Sequence, residues 1–182
     1  MQLEPTLLKK MLNKEQDAFQ RCYEQTSPIV YSIILRICRC KASAQDILQD
    51  TYIQAFSRLH TLKDSTQFIS WLKRIAFNNT ISWIRKNSKH LINSNDFENE
   101  NIADLTNTND IAQQHEIHND MSKLLTRLPP QARLILWLYV VEGYSHQEIA
   151  TMNSKSISYS KTIVSRALGQ LKENSEVQYH AK

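Results

Sequence analysis

Glycine is almost missing from this sequence: Gly143 and Gly169 are the only two in 182 residues. Tight turns and phosphate cradles need backbone that accepts positive φ, which glycine supplies at least cost. Two isolated glycines cannot build a G-x-x-x-x-G-K or a G-x-G-x-x-G loop, so the common nucleotide-binding enzymes are excluded. Neither H-E-x-x-H nor G-x-S-x-G occurs, which removes two hydrolase signatures. Prolines number four, and the asparagine-rich part of the chain is not flanked by alternating apolar runs. A strand-rich fold would lack its turns, so the fold class is read as all-α.

Other scarcities narrow the class further. Three cysteines, Cys22, Cys38 and Cys40, are an odd number and do not suggest a disulfide framework. Cys38-Arg39-Cys40 lacks the two-residue spacer of common zinc sites. His115 and His118 stand at H-x-x-H spacing, without a carboxylate or cysteine at ligand distance in sequence. No metal and no cofactor is therefore expected. The longest apolar run, Leu134 to Val141, is far short of the ~20 residues that span a bilayer. The start, Met1-Gln2-Leu3-Glu4-Pro5, is too polar for a secretory signal. A cytoplasmic protein without membrane insertion is expected.

Basic residues are absent from one long stretch. Residues 91–120 hold no Lys or Arg and seven acids, a net of −7. Residues 1–90 carry 14 basic and seven acidic side chains, a net of +7. Residues 121–182 carry eight and four, a net of +4. Two basic lobes joined by an acidic strip suggest two polyanion-binding modules and a tether. The strip has no sustained apolar period before about Ile111 and reads as a solvated linker.

The richest stretch runs from Ser43 to Lys86 and predicts two consecutive helices. Ser43 is the expected cap of the first, with Asp46 reaching back three residues later. Leu48, Tyr52, Ala55, Phe56 and Leu59 share one face. Asp46, Gln49, Asp50 and Gln54 line the opposite face. A polar break, Lys63 to Gln67, precedes a helix starting near Phe68, which buries Phe68, Leu72, Ile75, Ala76 and Thr80 or Ile84. Arg74, Asn78, Ser82 and Arg85 form its other side, with Lys73 and Lys86 beside them and Trp71, Phe77 and Trp83 interleaved. Cations with aromatics suit single-stranded nucleic acid, where rings stack on unpaired bases. A plain amphipathic helix with buried aromatics and a solvated basic face fits the same pattern. Upstream, residues 5–40 predict two helices, one holding Leu7, Leu8, Met11 and Leu12, with Pro28 at a helix start.

Residues 120–172 predict a second lobe. Pro129-Pro130 breaks the chain, and Gln131 to Val141 is apolar and helical. Gly143 marks a stop, and Ser145-His146-Gln147-Glu148 is a capping box. A short helix, a turn and a helix from about Ser156 to Lys172 make a helix-turn-helix pattern. Ser158, Tyr159, Lys161, Thr162 and Arg166 are expected outside. Ile157, Val164, Ala167, Leu168 and Leu171 are expected inside.

Two of these stretches resemble a known family. Ser43-Ala44-Gln45-Asp46-Ile47-Leu48-Gln49-Asp50-Thr51-Tyr52-Ile53-Gln54-Ala55-Phe56, followed by Phe68-x-x-Trp71-Leu72-x-Arg74-Ile75-Ala76-x-Asn78, resembles the second conserved region of the extracytoplasmic-function (ECF) group of bacterial sigma factors. Leu128-Pro129, Gly143-Tyr144-Ser145, Glu148-Ile149-Ala150, Ser156, Lys161 and Arg166-Ala167-Leu168 resemble the fourth. Asp17-Ala18-Phe19 with Tyr23 is similar to the opening helix. Asn153, Ser154 and Lys155 depart from the leucine, glycine and apolar residue usual in the turn. Ser160 stands where a β-branched apolar residue is usual, and Tyr159 and Ile163 replace a threonine and an arginine. Ser154 would then take a glycine's conformation at a cost of about 1 kcal/mol. The polar replacements are expected to loosen the helix-turn-helix core.

The resemblance implies a division into a region 2-like domain (1–90), a flexible acidic linker (91–119), a region 4-like helix-turn-helix domain (120–173) and a polar tail (174–182). It implies a transcription-initiation sigma factor, not an enzyme, that partners core RNA polymerase, promoter DNA and an anti-sigma factor. Asp46, Gln49, Asp50 and Gln54 would contact polymerase. Lys63, Ser65, Phe68, Trp71, Arg74, Asn78, Asn79, Arg85 and Lys86 would engage the −10 element. Ser156, Ser158, Tyr159, Lys161, Thr162 and Arg166 would read the −35 element. The linker's charge would mimic RNA along the polymerase exit path. A free-standing helix-turn-helix regulator and a sigma-like protein that binds partners but no longer reads DNA are the rival readings.

Overall fold

Amphipathic runs of this length have one stable outcome, which is to bury their apolar stripes against one another. The computed structural model describes residues 4–62, 64–93, 125 and 128–180, without the side chains of 65, 89–93 and 173–180. Among the described residues there is no strand, and the all-α class is observed. The chain divides into two compact units, Met1–Glu100 and Asn101–Lys182.

The first unit opens with α1, Pro5–Leu12, where Pro5 occupies the first turn and its missing N–H costs nothing. Leu7, Leu8 and Met11 are buried, but Leu12, expected beside them, is exposed. Next, α2 spans Gln16–Cys38 without interruption, so Pro28 sits inside a helix and not at a start. A proline there orphans the carbonyl four residues back, Glu24, which lies in an exposed turn where water can take it. The helix ends at Arg39, in the left-handed region at φ 57, whose N–H returns to the Leu35 carbonyl at 2.8 Å. Cys40 is extended, and α3 runs Lys41–Ser57. Ser43 therefore lies within the helix and caps nothing. The reversal at Arg39 and Cys40 has already set the new chain direction.

Two 3-10 turns, Leu59–Thr61 and Ser65–Gln67, lead into α4, Phe68–Asn93. Asp64 organises the second turn. Its Oδ1 accepts from the Thr66 hydroxyl at 2.7 Å and the Thr66 N–H at 2.9 Å. Those two bonds hold its exposed carboxyl below the usual range. The buried arc of α4 is wide: Phe68, Leu72, Ile75, Ala76, Phe77, Thr80, Ile81 and Ile84. Phe77 therefore belongs to the core and not to the basic face. Both α2 and α3 pack on α4, and α3 also packs on α2.

In the second unit, α5 spans Pro130–Val140, α6 His146–Asn153 and α7 Ile157–His180. Gly143 takes φ +74 in the connection, as its place after the apolar run required. The capping box is complete: the Glu148 N–H donates to Ser145 Oγ, and the Ser145 N–H donates to the Glu148 carboxylate. The inward stripe of α7 is Ser160, Val164 and Ala167. Ile157 and Leu168, expected inside, are 45% and 46% exposed because they lie outside that stripe. The helix continues to His180, into the stretch read as a polar tail. No described helix is long and apolar enough to cross a membrane.

Burial pushes the Cys22 thiol up to about 11, against a hydrogen bond with Thr26 that lowers it. Because the folded value is raised, this contribution is complete below the ordinary 9.0 and is lost as pH climbs toward about 11. Thr26 also ties α2 to α3. Its hydroxyl donates to the Cys22 carbonyl at 2.6 Å, so its one hydrogen is used. Tyr52 must therefore be the donor in the buried Thr26–Tyr52 contact. Thr26→Val leaves that phenol without an acceptor, and we expect a loss of about 1–3 kcal/mol in urea unfolding. Adding Tyr52→Phe should recover part of the loss; simple additivity of the two substitutions would refute the pairing.

Candidate nucleic-acid interface

The outer face of α3 carries Asp46, Gln49 and Asp50, all exposed. Between Ala42 and Ser57 the helix holds no cation, and its charges there are acidic; Lys41 and the C-cap Arg58 stand at its two ends. Gln54 differs from its three companions. It is half-buried, and its amide donates to Asn79 Oδ1 at 3.1 Å. Asn79 in turn donates to Thr51 Oγ1 at 3.2 Å, and Thr51 donates to the Ile47 carbonyl at 2.7 Å. Asn79 thus points at α3 as a polar stitch between helices, and not outward to DNA.

The outer face of α4 holds a line of exposed polar groups, Arg74, Asn78, Ser82 and Arg85, with Lys86 beside it and Lys73 half-buried. Trp71 begins this line. It is half-buried against the core, with its ring centroid 5.9 Å from that of Phe68. Phe68 itself is fully buried, so it supports Trp71 from below and cannot touch a base. Trp83 also rests on the core with part of its ring open. Lys63 and the Ser65 side chain lie outside the described residues. So do His115, His118 and nearly all of the acidic linker, 91–119.

In the second unit Ser158, Lys161, Thr162 and Arg166 are exposed along α7, and Tyr159 is half-buried. Lys155 Nζ lies 5.8 Å from the centre of the Tyr159 ring. Ser156 caps the helix and does not point along it: its Oγ accepts the Tyr159 N–H at 3.1 Å. The arrangement offers hydroxyls and cations at the start of an exposed helix, the equipment for phosphates and base edges.

Comparison with known proteins gives this geometry a family. The Sigma-70 region 2 model matches residues 22–90, and the Sigma-70, region 4 model matches residues 118–171. The chain belongs to the sigma-70 family, in its ECF group. It is similar to the ECF sigma factor SigX of Bacillus subtilis, 26% identical over 166 residues, covering 89% of this chain and 86% of that protein. It is also similar to SigM of the same organism, at 27% identity and coverages of 82% and 90%. The sigma factor RpoE of Bartonella quintana, solved with the anti-sigma factor NepR, shares the fold at a TM-score of 0.54 and 21% identity, covering 87% of this chain and 97% of its own. CnrH, solved with the cytosolic domain of CnrY, matches at a TM-score of 0.54 and 18% identity, with coverages of 94% and 96%.

As a sigma factor the chain departs from the usual turn in its helix-turn-helix, and the structure shows how. Ser154 adopts φ 52 and ψ 45, the left-handed conformation expected of it. Asn153 is buried, yet its Oδ1 accepts from Gln131 at 2.8 Å and its Nδ2 donates to the Ile149 carbonyl at 2.9 Å. Ser160 is buried with its Oγ 3.1 Å from His146 Nδ1, and the His146 ring stacks on Tyr139 at 4.4 Å. The polar replacements are thus paired. They do not leave the loosened core that sequence alone suggested. What remains is the backbone strain at Ser154. Ser154→Gly should raise the stability of this unit by up to about 1 kcal/mol, and Ser154→Val should lower it. Denaturation followed by Trp137, the only tryptophan between residues 101 and 182, checks the sign.

Proposed function

We propose that this sigma factor initiates transcription by dividing its surfaces between core RNA polymerase and promoter DNA. In this reading the acidic stripe Asp46, Gln49 and Asp50 meets a basic element of the polymerase. The α4 line of Trp71, Arg74, Asn78, Arg85 and Lys86 engages the opened −10 element. Lys161, Thr162, Arg166, Ser158 and Tyr159 read the −35 element, with Ser156 fixing the start of their helix. Lys63 and Ser65 keep their proposed place near the −10 bases on the resemblance alone. Domains of 1–90 and 120–173, joined by the linker at 91–119, follow the same reading, as does action in the cytoplasm. An anti-sigma factor that covers these faces is the proposed negative regulator.

The observation that carries the proposal is the pairing of outer faces on one packed unit. An acidic face on α3 and a basic, aromatic-edged face on α4 are exposed together. A base drawn out of the stack costs a few kcal/mol and needs a ring surface as well as charge. Half-buried Trp71, braced by Phe68, supplies a ring held in place. A free-standing regulator has no use for the acidic face. The partner-only reading rests on a loosened turn, and that turn is paired.

Core-dependent run-off transcription tests the whole assignment. Asp50→Lys should weaken core binding about tenfold in a competition assay, and unchanged affinity would remove α3 from the interface. Trp71→Ala with Arg74→Ala should leave core binding intact but abolish permanganate reactivity of promoter thymines. A normal footprint in that double variant rules out the melting role.

A further inference from the structure

Arg39 separates two cysteines at the reversal between α2 and α3. Cys22, Cys38 and Cys40 are all free thiols. Cys38 closes α2 and is fully buried, whereas Cys40 is the half-buried N-cap residue of α3. The Cys40 carbonyl accepts the Ala44 N–H at 2.9 Å, which starts α3, and the Cys38 thiol at 3.6 Å. The buried thiol thus lies against the residue that carries the open one. Arg39 sits at φ 57 and ψ 27, and a left-handed residue mirrors helical spacing. That spacing puts Cα atoms two residues apart at about 5.4 Å, inside the range of about 4.4–6.8 Å that a disulfide spans. Cys22 differs. It is fully buried, and burial pushes its thiol up to about 11, so it stays protonated and away from solvent.

We infer that Cys40 and Cys38 form a peroxide-responsive pair, in which Cys40 takes the oxidant and Cys38 closes a disulfide across Arg39. The Cys40 thiol gives up its proton and attacks one oxygen of hydrogen peroxide. The O–O bond breaks, the departing hydroxide takes that proton as water, and Cys40 becomes a sulfenic acid. The Cys38 thiol then gives up its proton and attacks the oxidised sulfur. The S–O bond breaks, the hydroxide leaves with that proton as a second water, and the S–S bond forms. Both sulfurs are oxidised and the peroxide is reduced to water. Only Cys40 has to meet the oxidant, because Cys38 attacks from inside. The bridge draws Cys38 Sγ off the Cys40 carbonyl and disturbs the first turn of α3, the helix that carries Asp46 and Asp50. Oxidation should therefore weaken the hold on core polymerase. That consequence rests on the reading of α3 as the polymerase face; the chemistry of the pair does not.

The test treats the full-length protein with hydrogen peroxide and maps its thiols by mass spectrometry. Trypsin cuts after Arg36, Arg39 and Lys41. The bridge should appear as Ile37–Arg39 joined to Cys40–Lys41, lighter by a hydrogen from each thiol and separated by dithiothreitol, with Cys22 still reduced. Core binding should fall about fivefold on oxidation, the scale of a lost helix cap, and return on reduction. Cys40→Ser should abolish the bridge and keep core binding in peroxide. Cys38→Ala should stop the reaction at a Cys40 sulfenic acid, captured by dimedone. Unreacted thiols, Cys40 oxidised further with Cys38 left reduced, or a dimer bridged through Cys40 overturns the pair. A bridge with core binding unchanged, beside a clear loss for Asp50→Lys, overturns the coupling to α3 alone. If Asp50→Lys also binds core normally, the polymerase reading of α3 falls with it.

Discussion

Everything in the first unit depends on the seam between α3 and α4. α3 buries Ile47, Leu48, Thr51, Tyr52 and Ala55, and α4, packed on it, buries Leu72, Ile75, Ala76 and Thr80. Fully burying one such aliphatic or aromatic side chain contributes about 1.5–3 kcal/mol, whereas an exposed ion pair contributes about 0–1 kcal/mol. The inner faces therefore decide the fold, and the outer faces are left free to differ in charge. One is acidic and the other basic because neither is needed for stability. Thr51, Asn79 and Gln54 add direction to this seam. Their hydrogen bonds fix how far α4 slides along α3, and so fix where Trp71 and Arg74 stand relative to Asp50.

The second unit is smaller and solves a harder problem. A small helical unit buries little apolar surface, and here, among the described residues, three buried positions are polar: Arg133, Asn153 and Ser160. An unpaired buried amide or hydroxyl costs about 1–3 kcal/mol, while a paired one is close to neutral. The sign of the effect depends on partners, and each polar residue has one. Gln131 of α5 meets Asn153 of α6, and His146 of α6 meets Ser160 of α7. Directional bonds consequently tie α5 to α6 and α6 to α7. Such bonds fix register in a way that apolar contacts alone do not.

Much of this was legible in the residues. The capping box at Ser145, the turn at Gly143, the start of α4 and the strain at Ser154 each follow from local chemistry, which the sequence states directly. The errors share a different cause. Ser43 reads as a cap, but the chain reversal at Arg39 and Cys40 starts the helix earlier. Pro28 reads as a start, but it falls on a solvated turn where an orphan carbonyl is tolerated. Phe77 reads as part of the basic face because a period cannot tell how many helices pack on α4. With both α2 and α3 against it, the buried arc widens to include Phe77 and Ile81. Asn79 reads as a companion of Asn78 on the DNA side, although one residue turns a helix by about 100°. Ile53 escapes notice although its spacing from Gln49 and Asp50 puts it on their face, and the structure shows it exposed there.

On the proposed function, the modest charge of each reading surface explains why two are present. Lys73, Arg74, Arg85 and Lys86 on α4, and Lys155, Lys161 and Arg166 on α7 and the turn before it, are few cations per reading surface. Each phosphate contact contributes to an affinity that falls steeply with salt, so a surface with so few binds duplex weakly by itself. Joining two weak sites raises overall affinity by a factor of roughly 10²–10⁴ only when geometry lets both engage at once. On that proposal, polymerase provides the geometry by holding the first lobe through its acidic face. A sigma factor built this way reads promoters when bound to core and releases them when it is not. On the same proposal the acidic stripe, assigned to polymerase and not to DNA, is what makes the two basic surfaces effective.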